Sequence, residues 1–461
     1  MDAIFFCEDD GSTTGLPNLK PSAAGVVRDL DYTSGAGDGE TVHETLRLAL
    51  EGQPFEIETF LSSLERALAR ATLEADLPGG DPLFLACRVA PGSETWRSKI
   101  LSGQATLATG SADQRSRGSQ RCTLEIRRVD GWERQDGPLL ARMVNAQDEN
   151  AGHSIEVDNH ADAAHTNLVD LPAETLMGEN ITGDLPAPAT LTIDLPGPGS
   201  AYPVTFFVGE SWRKNVEQLT PVYPGESGAA RTGATGSLVS DANCAGGQCL
   251  SLSWNGAQEQ EVWGVDLPAA DTRILAGYPA LPLLRLQAAP PAETWYRWKV
   301  YALASEGETL CGQSPIQAAE AGCQLLSGPA LNLPPWLVDQ TGAYAAPALR
   351  LVLAVQAAGA GAHALAVDSL SLMGLDGWRI YRPLTGQASN GIVDDPQRGT
   401  LYRFEEHAQS HTAEGPGFTL QPGRSHRFTF LALSHTPSGK TVPLDLTMWV
   451  WVNYRPRKRH L

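Results

Sequence analysis

The sequence predicts a mainly β protein, with an N-terminal β domain that carries one amphipathic helix and β-sandwich domains after it. Glycine and proline are frequent, at 46 and 32 of 461 residues, and both punctuate chains that turn often. Short runs rich in β-branched residues recur between those turns, as strands do. Helical periodicity is clear over one segment only, residues 56–74. These three observations together favour strands over helices.

The N-terminal part of the chain combines strand patterns with that helix. In the helix, Ile57, Leu64 and Leu68 fall on one apolar stripe, whereas Glu65 and Arg66 lie off it. A Pro-Gly-Gly sequence ends the helix. Strands are predicted at 42–50, 83–89, 96–107 and 122–129. We therefore expect a sheet that packs against a single helix.

The remainder of the chain shows strand patterns without a helical period. Short strands are predicted at 155–157, 167–171, 189–195, 204–208, 249–254, 295–303, 349–356, 364–372, 428–433 and 444–454. Their close spacing is typical of β-sandwiches. The segment 216–240 is rich in Gly, Ser, Thr and Pro, which predicts a linker or entry loop between two sandwiches. The last strand places apolar residues on one face and Trp449 and Trp451 on the other, so we expect it to be buried on both sides or shared with a partner.

Charge and hydropathy together argue against several classes of partner. The chain has 34 Lys and Arg against 53 Asp and Glu, a net charge of −19, so sequence-specific nucleic-acid binding is not expected. No apolar run is long enough for a membrane helix, and the first ten residues lack a signal-peptide pattern, so we expect assembly in the cytoplasm without membrane insertion. The basic end 454–461 fits docking on an acidic neighbouring subunit better than binding to nucleic acid.

Seven cysteines do not form the even framework of a secreted disulfide-rich domain. Two pairs are close in sequence: Cys244 with Cys249, and Cys311 with Cys323. Each pair can close a disulfide loop where geometry and redox conditions allow, or each can be two small buried thiols. Neither pair has zinc-site spacing.

One polar turn has the composition of a metal loop. His160, Asp162 and His165 are ligand types for zinc, iron or manganese, although the same residues can cap backbone groups between two strands. Asp368 can likewise bind calcium at a strand edge or simply cap a turn or lie in solvent. We expect no metal and no cofactor.

The aromatic run at 295–298 is the main candidate for ligand contact. Trp295 and Arg297 lie on one strand face and Tyr296 and Trp298 on the other. An exposed aromatic face can stack on sugar rings, so Trp295, Tyr296 and Trp298 are candidate glycan contacts, while core packing is the alternative for at least one face. No catalytic residue is assigned: no nucleophile elbow or phosphate-binding loop is present, and acidic pairs such as Glu405-Glu406 show no glycosidase arrangement by sequence alone.

The order of several motifs carries a family resemblance. The motifs are Ser102-Gly103-Gln104, Cys122-Thr123-Leu124-Glu125-Ile126, Gly131-Trp132-Glu133, the polar run 157–167, the segment 183–189, Leu420-Gln421-Pro422-Gly423-Arg424 and Tyr454-Arg455-Pro456-Arg457. As a set they resemble distal tail and tail-tip structural proteins of long-tailed, siphovirus-like bacteriophages or prophages. The segment between about 216 and 375 looks like a galactose-binding-like jelly roll of the kind inserted into elaborated distal tail proteins.

That resemblance implies a domain layout and a set of partners. It implies a ring-forming, tail-tube-like β domain over 1–148, a discontinuous β-sandwich over 149–215 plus 376–461, and an inserted jelly roll over 216–375. The implied role is a non-enzymatic virion component of the tail tip that assembles with itself as a ring, a hexamer by resemblance. Its implied partners are the tail tube protein, the tail-tip hub or fibre proteins and host cell-surface glycan. The alternatives are a carbohydrate-binding adhesin array and, less favoured, a glycoside hydrolase.

Overall fold

The computed structural model is mainly β, which confirms the predicted class. The residues it describes are 3–37, 39–75, 77, 80–108, 118–145, 150–159, 167–195, 203–212, 222–241, 244–275, 278–304, 307–319, 324–334, 337–338, 344–345, 348–384, 391–396, 399–402, 409, 411–435, 441–443 and 446–459. No helix in these ranges is long and apolar enough to cross a membrane.

The described residues form forty strands and two α-helices, numbered in chain order. The first group is β1 Ala3–Cys7, β2 Val27–Gly37, β3 Thr41–Glu51, α1 Pro54–Glu74, β4 Phe84–Arg88, β5 Thr95–Leu107, β6 Ser119–Val129 and β7 Trp132–Arg134. The second is β8 Leu139–Leu140, β9 Met143–Asn145, β10 Ala151–Gly152, β11 Ile155–Asn159, β12 Asn167–Leu171, β13 Glu174–Thr175, β14 Gly178–Glu179, β15 Ala187–Asp194 and β16 Val204–Ser211. The third is β17 Val222–Pro224, β18 Ala229–Ala230, β19 Thr235–Ser240, β20 Gln248–Asn255, β21 Gln260–Leu267, α2 Ala269–Leu275, β22 Pro279–Leu286, β23 Thr294–Ala304, β24 Gly307–Gln313, β25 Gln317–Ala318, β26 Leu325–Ser327, β27 Leu331–Asn332, β28 Leu337–Val338, β29 Tyr344–Ala345, β30 Leu349–Ala357 and β31 Ala362–Gly374. The fourth is β32 Gly377–Pro383, β33 Gly391–Asp395, β34 Thr400–Tyr402, β35 His411–Gly417, β36 Thr419–Leu420, β37 His426–His435, β38 Thr441–Pro443, β39 Leu446–Tyr454 and β40 Arg457–Lys458.

The N-terminal sheet has the strand order β1-β4-β5-β6-β3-β2, with β7 beside β5 and β40 beside β7. Helix α1 begins with Pro54, and its N-cap is stabilised because Glu56 Oε2 accepts the Gln53 backbone N–H at 2.7 Å. The helix packs against β5, where Gly103 leaves room: a Cβ there would lie 2.7 Å from Leu68 Cδ2. The predicted apolar stripe is thus the buried face of α1, which confirms the predicted helix.

Two facing sheets are built from the strands of β8–β16 and β32–β39 other than β13 and β14, which pair as a separate hairpin; we call the sheets and this hairpin the outer sandwich. One sheet has the order β10-β9-β12-β37-β16-β32-β35 and the other β11-β39-β15-β33-β34. Strand β39 lies between β11 and β15, and Met448, Val450 and Val452 are fully buried between the sheets. On its opposite face Trp449 remains 37% exposed. The strand is therefore buried fully on one face only.

The middle sandwich is formed by the strands of β17–β31 other than the separate pair β28-β29, and it has its own core. Its two sheets have the orders β19-β20-β31-β22-β26 and β18-β21-β30-β23-β24. The predicted linker at 216–240 is corrected in part, because residues 222–240 contain β17, β18 and β19. All six residues of β19 are exposed, so this edge strand has the polar, small-residue composition of a loop. Residues 213–221 lie outside the described part of the chain.

The chain segments that enter and leave the middle sandwich are held together by several contacts. Strands β16 and β32 pair, with Gly209 opposite Trp378. The Trp212 backbone N–H donates to Asp376 Oδ2 at 2.9 Å, and the Asp376 N–H donates to the Glu210 carbonyl at 2.8 Å. A separate apolar cluster packs across this junction: Phe207, Leu281, Leu283, Leu325, Met373, Leu375 and Ile380. The entry and exit of the middle sandwich are therefore fastened together by hydrogen bonds and by apolar packing.

Candidate functional site

The strand β23 separates the candidate aromatic residues by face. Tyr296 and Trp298 point into the core of the middle sandwich and are 3% and 0% exposed. Their polar atoms are satisfied there: Tyr296 donates to the Ser327 carbonyl at 2.9 Å, and Trp298 Nε1 donates to the Gly328 carbonyl at 3.2 Å. Tyr296 and Trp298 were therefore wrongly predicted as glycan contacts, since buried rings cannot stack on a sugar.

Trp295 points the other way, onto the outer face of the sheet β18-β21-β30-β23-β24. Alternation puts Arg297, Lys299 and Tyr301 on the same face, and all four side chains are partly exposed. Trp295 and Tyr301 are six residues apart, about 20 Å along a strand. Tyr301 was not singled out from sequence, although its even spacing from Trp295 in the same strand pattern was a signal for it.

Charged side chains from neighbouring strands cover this outer face in a connected network. Glu259 bridges Arg297 and Lys299 at 2.7 and 2.9 Å. Arg231 binds Glu308 through two nitrogens, at 2.7 and 3.0 Å. The remaining pairs are Lys299–Glu261, Arg231–Glu261, Arg350–Asp266 and Arg350–Glu308. Four cations and four carboxylates thus balance on a face of an otherwise acidic protein.

Residues with short side chains lie beneath these charged side chains. Val352 and Ala354 are fully buried on β30, and Gly264 lies beside Val352 on β21. A Cβ at Gly264 would lie 3.1 Å from Arg231 Cδ. The long charged side chains therefore lie across these shorter residues. Trp295 and Tyr301 lie at the two ends of the row that β23 contributes.

The network lowers the pKa of two of its carboxylates, Glu261 and Glu308. Burial raises the pKa of Glu261, but hydrogen bonds from Tyr301 and Lys299 outweigh it and leave the pKa below its usual value. The hydrogen bond from Arg231 lowers the pKa of Glu308. A glycosidase acid needs the opposite shift. This face offers fixed hydrogen-bond donors, acceptors and aromatic rings, which suits the binding of hydroxyl groups.

A second polar site lies between the N-terminal sheet and the outer sandwich, around a cavity of about 570 Å³. Arg97 is 1% exposed and binds Asp9 and Glu133 at 2.8 and 2.9 Å. Its guanidinium also stacks on Phe84, with the carbon 4.0 Å from the ring centre. Burial raises the pKa of Glu133 against the opposing charge of Arg97.

The basic C-terminal end closes one side of that cavity and binds its own chain. Arg455 Nη1 donates to the Arg134 and Gln135 carbonyls, each at 3.1 Å. Arg457 Nη1 donates to the Pro186 carbonyl at 3.2 Å, and β40 pairs with β7. The expectation that these arginines dock on a neighbouring subunit is therefore wrong for Arg455 and Arg457, which are used within the chain.

The metal and cysteine candidates are resolved in part. His160, Asp162 and His165 lie outside the described residues, and the described ranges contain no group of three metal-ligating side chains. Asp368 is buried and bound to Arg285 at 2.7 Å rather than lying in solvent.

Cys244 and Cys249 are buried free thiols rather than a disulfide, and burial raises the pKa of Cys244 to about 12. Cys311 is an exposed free thiol, and Cys323 lies outside the described residues.

Comparisons with known proteins give no family. No family model and no curated protein matches the chain. A protein of Parabacteroides distasonis ATCC 8503 described as secreted is similar at 9% identity over 51% of this chain and 99% of its own, with a TM-score of 0.15. Structures of infectious bursal disease virus strains Gt and Gx are similar at 8% and 9% identity, over 70% and 69% of this chain and 81% of theirs, both with a TM-score of 0.16. Likenesses at these TM-scores do not indicate a shared fold.

Proposed function

We propose that this chain is a non-enzymatic structural subunit of a bacteriophage tail tip, which assembles with itself as a ring at the end of the tail tube. The observation that carries the proposal is the open edge of the N-terminal sheet. Strand β2 is eleven residues long, and none of the described strands pairs with its outer side. Edges of this kind pair readily with another chain, and a closed ring leaves none of them exposed.

Two further features support the same role. The net charge of −19 keeps the average surface from holding DNA phosphates, which suits a ring through which DNA passes. The motifs that resemble distal tail proteins include Gly103, and this glycine supports the close packing of α1 on the sheet. The partners in this proposal are the tail tube protein and the tail-tip hub or fibre proteins.

The purified full-length chain is expected to form a closed oligomer with a central pore. In a ring the β2 edge of one copy pairs with a different surface of the next copy, which would bury backbone groups that are otherwise open to water. Light scattering on a sizing column gives the number of 49.2 kDa chains, and negative-stain imaging shows the pore. A chain that stays monomeric at high concentration, with and without added tube protein, would contradict the proposal.

A second proposed activity is glycan binding by the outer face of the middle sandwich, where Trp295 and Tyr301 flank the charged row. The jelly-roll resemblance of the segment 216–375 supports this activity, and it is compatible with a tail-tip role. Glycan binding by this face is also what the alternative function, a carbohydrate-binding adhesin, would require. A glycoside hydrolase has less support, because the pKa values of Glu261 and Glu308 on this face are lowered, whereas a glycosidase acid needs a raised pKa.

Replacing Trp295 or Tyr301 by alanine is expected to weaken binding to bacterial cell-wall glycans by about tenfold each, because an aromatic anchor commonly contributes more than 1 kcal/mol. A glycan array and pull-down with purified cell envelope measure it. Phe55→Ala is the matched control, since Phe55 is an aromatic residue 66% exposed on α1. Absence of binding by the unaltered chain to any envelope glycan would exclude this activity.

A further inference from the structure

A small hairpin of the outer sandwich ends in two large apolar side chains. Strands β13 and β14 pair, and their two-residue turn is Leu176-Met177. These side chains are 104% and 97% exposed, the highest values among the exposed large hydrophobic residues. We call residues 174–179 the finger. Neither apolar side chain contributes to a core, so the finger is suited to contact with another surface.

The finger has a defined shape despite its exposure. Thr175 Oγ1 accepts the Met177 N–H at 3.2 Å and donates to the Gly178 carbonyl at 3.1 Å. Gly178 has a φ of 111°, which a residue with a Cβ rarely adopts. The tip is thereby held in one conformation, which lowers the entropic cost of inserting it into a partner.

A cleft of about 420 Å³ lies between the finger and the body of the outer sandwich. Leu139, Leu140 and Tyr454 line it on the body side. Leu140 is 48% exposed, so the cleft offers open apolar surface next to the finger. Its volume is within the range of pockets that enclose small ligands. The same region thus presents both an apolar projection and an apolar recess.

Charge identifies the partner. Glu174 and Glu179 lie opposite each other directly behind the tip, and they would be repelled by anionic lipid headgroups. Arg142 and His153 line the cleft. Among the described residues no ion pair engages Arg142, Glu174 or Glu179. A finger that enters this cleft would therefore bring its carboxylates towards an available arginine.

We infer that the finger of one copy inserts into the cleft of a second copy of this chain, placing Leu176 and Met177 against Leu139 and Leu140 and the finger carboxylates beside Arg142. Projection and recess on one patch make the surface self-complementary, as a two-fold contact between identical chains requires. The inference rests on the proposed function only in that the chain assembles with itself; it adds a contact in the outer sandwich.

The test is self-association of full-length variants, measured by light scattering over a concentration series. Leu176→Ser with Met177→Ser is expected to weaken association at least about tenfold, equivalent to about 1.4 kcal/mol. Arg142→Glu and Glu179→Arg are each expected to weaken it, and the two combined to restore it, because the exchanged charges pair again between copies. Leu73→Ser is the control, since Leu73 is 74% exposed on α1. Thermal unfolding checks that each variant is folded.

The outcomes separate this inference from the proposed function. If the double serine variant associates as tightly as the unaltered chain, the inference is wrong, and the tail-tip proposal stands when both chains form a pored ring. If the unaltered chain forms dimers without a pore and the serine variant dissociates them, the inference stands and the ring is wrong. An unaltered chain that is monomeric alone overturns the inference, whereas the ring proposal also requires the measurement with tube protein.

Discussion

Replacing Trp298 by alanine is expected to lower the free energy of unfolding by about 3–5 kcal/mol, the usual effect of removing a buried tryptophan. The ring is fully buried in the middle sandwich, and its Nε1 hydrogen bond to the Gly328 carbonyl is lost with it. The remaining carbonyl is then buried without this donor. Urea unfolding followed by circular dichroism measures the effect, and hydrogen exchange over 294–304 locates it.

Trp295→Ala is the matched control on the same strand. The two tryptophans are three residues apart but lie on opposite faces of β23, and Trp295 is partly exposed. Its replacement is expected to cost about 1 kcal/mol or less, as most surface changes do. Equal losses for the two variants would contradict the assignment of the faces. Trp298→Ala is therefore unsuitable for testing glycan binding, because a loss of binding by this variant would reflect unfolding and not a lost contact.

Replacing Arg97 by alanine is expected to destabilise the chain by about 3–5 kcal/mol, because it removes a fully buried cation that binds two partly buried carboxylates. Arg97 binds both Asp9 and Glu133 beside the cavity between the N-terminal sheet and the outer sandwich. Denaturant unfolding with circular dichroism measures the loss. Loss of the charge should also raise the pKa of Glu133 further, since burial already raises it and Arg97 opposes that shift.

The pH dependence of the Arg97→Ala variant gives an independent check. A carboxyl whose pKa is higher in the folded state binds protons more tightly there, so its burial is tolerated better as the pH falls. The loss of stability should therefore be smaller in mildly acidic than in neutral solution. Arg47→Ala is the control: its pair with Asp31 is exposed and 3.5 Å long, so about 1 kcal/mol or less is expected. A loss equal to that of Arg47→Ala would contradict the buried network.

Some elements could be predicted because the signal is local. The apolar stripe of α1 repeats at the helical period over five turns, and the strand patterns of β3 and β6 alternate. The helix α2 was missed, since seven residues are too few for a periodic pattern. The strand β19 was taken for a linker because an edge strand exposed on all residues needs no apolar pattern.

Most residues of the candidate sites could not be predicted, because they are distant in the sequence and meet only in the folded chain. Leu176-Met177 before Gly178 was an available signal, because two apolar residues in a tight turn have no local reason to be there. The ion-pair network on the outer face had no such signal: Arg231, Glu261 and Glu308 are far apart in the chain and meet only when β18, β21 and β24 join one sheet. The same holds for Arg97 with Asp9 and Glu133.

The sequence by itself determined the mainly β class, the helix and the alternation of β23, because periodicity and composition act over a few residues. It left open which face of β23 is buried. Only the tertiary structure decided that Tyr296 and Trp298 form core while Trp295 and Tyr301 remain accessible, and that Arg455 and Arg457 bind carbonyl groups of their own chain. The physical reason is that burial depends on which distant strands pack against a face, and that packing is a property of the whole chain.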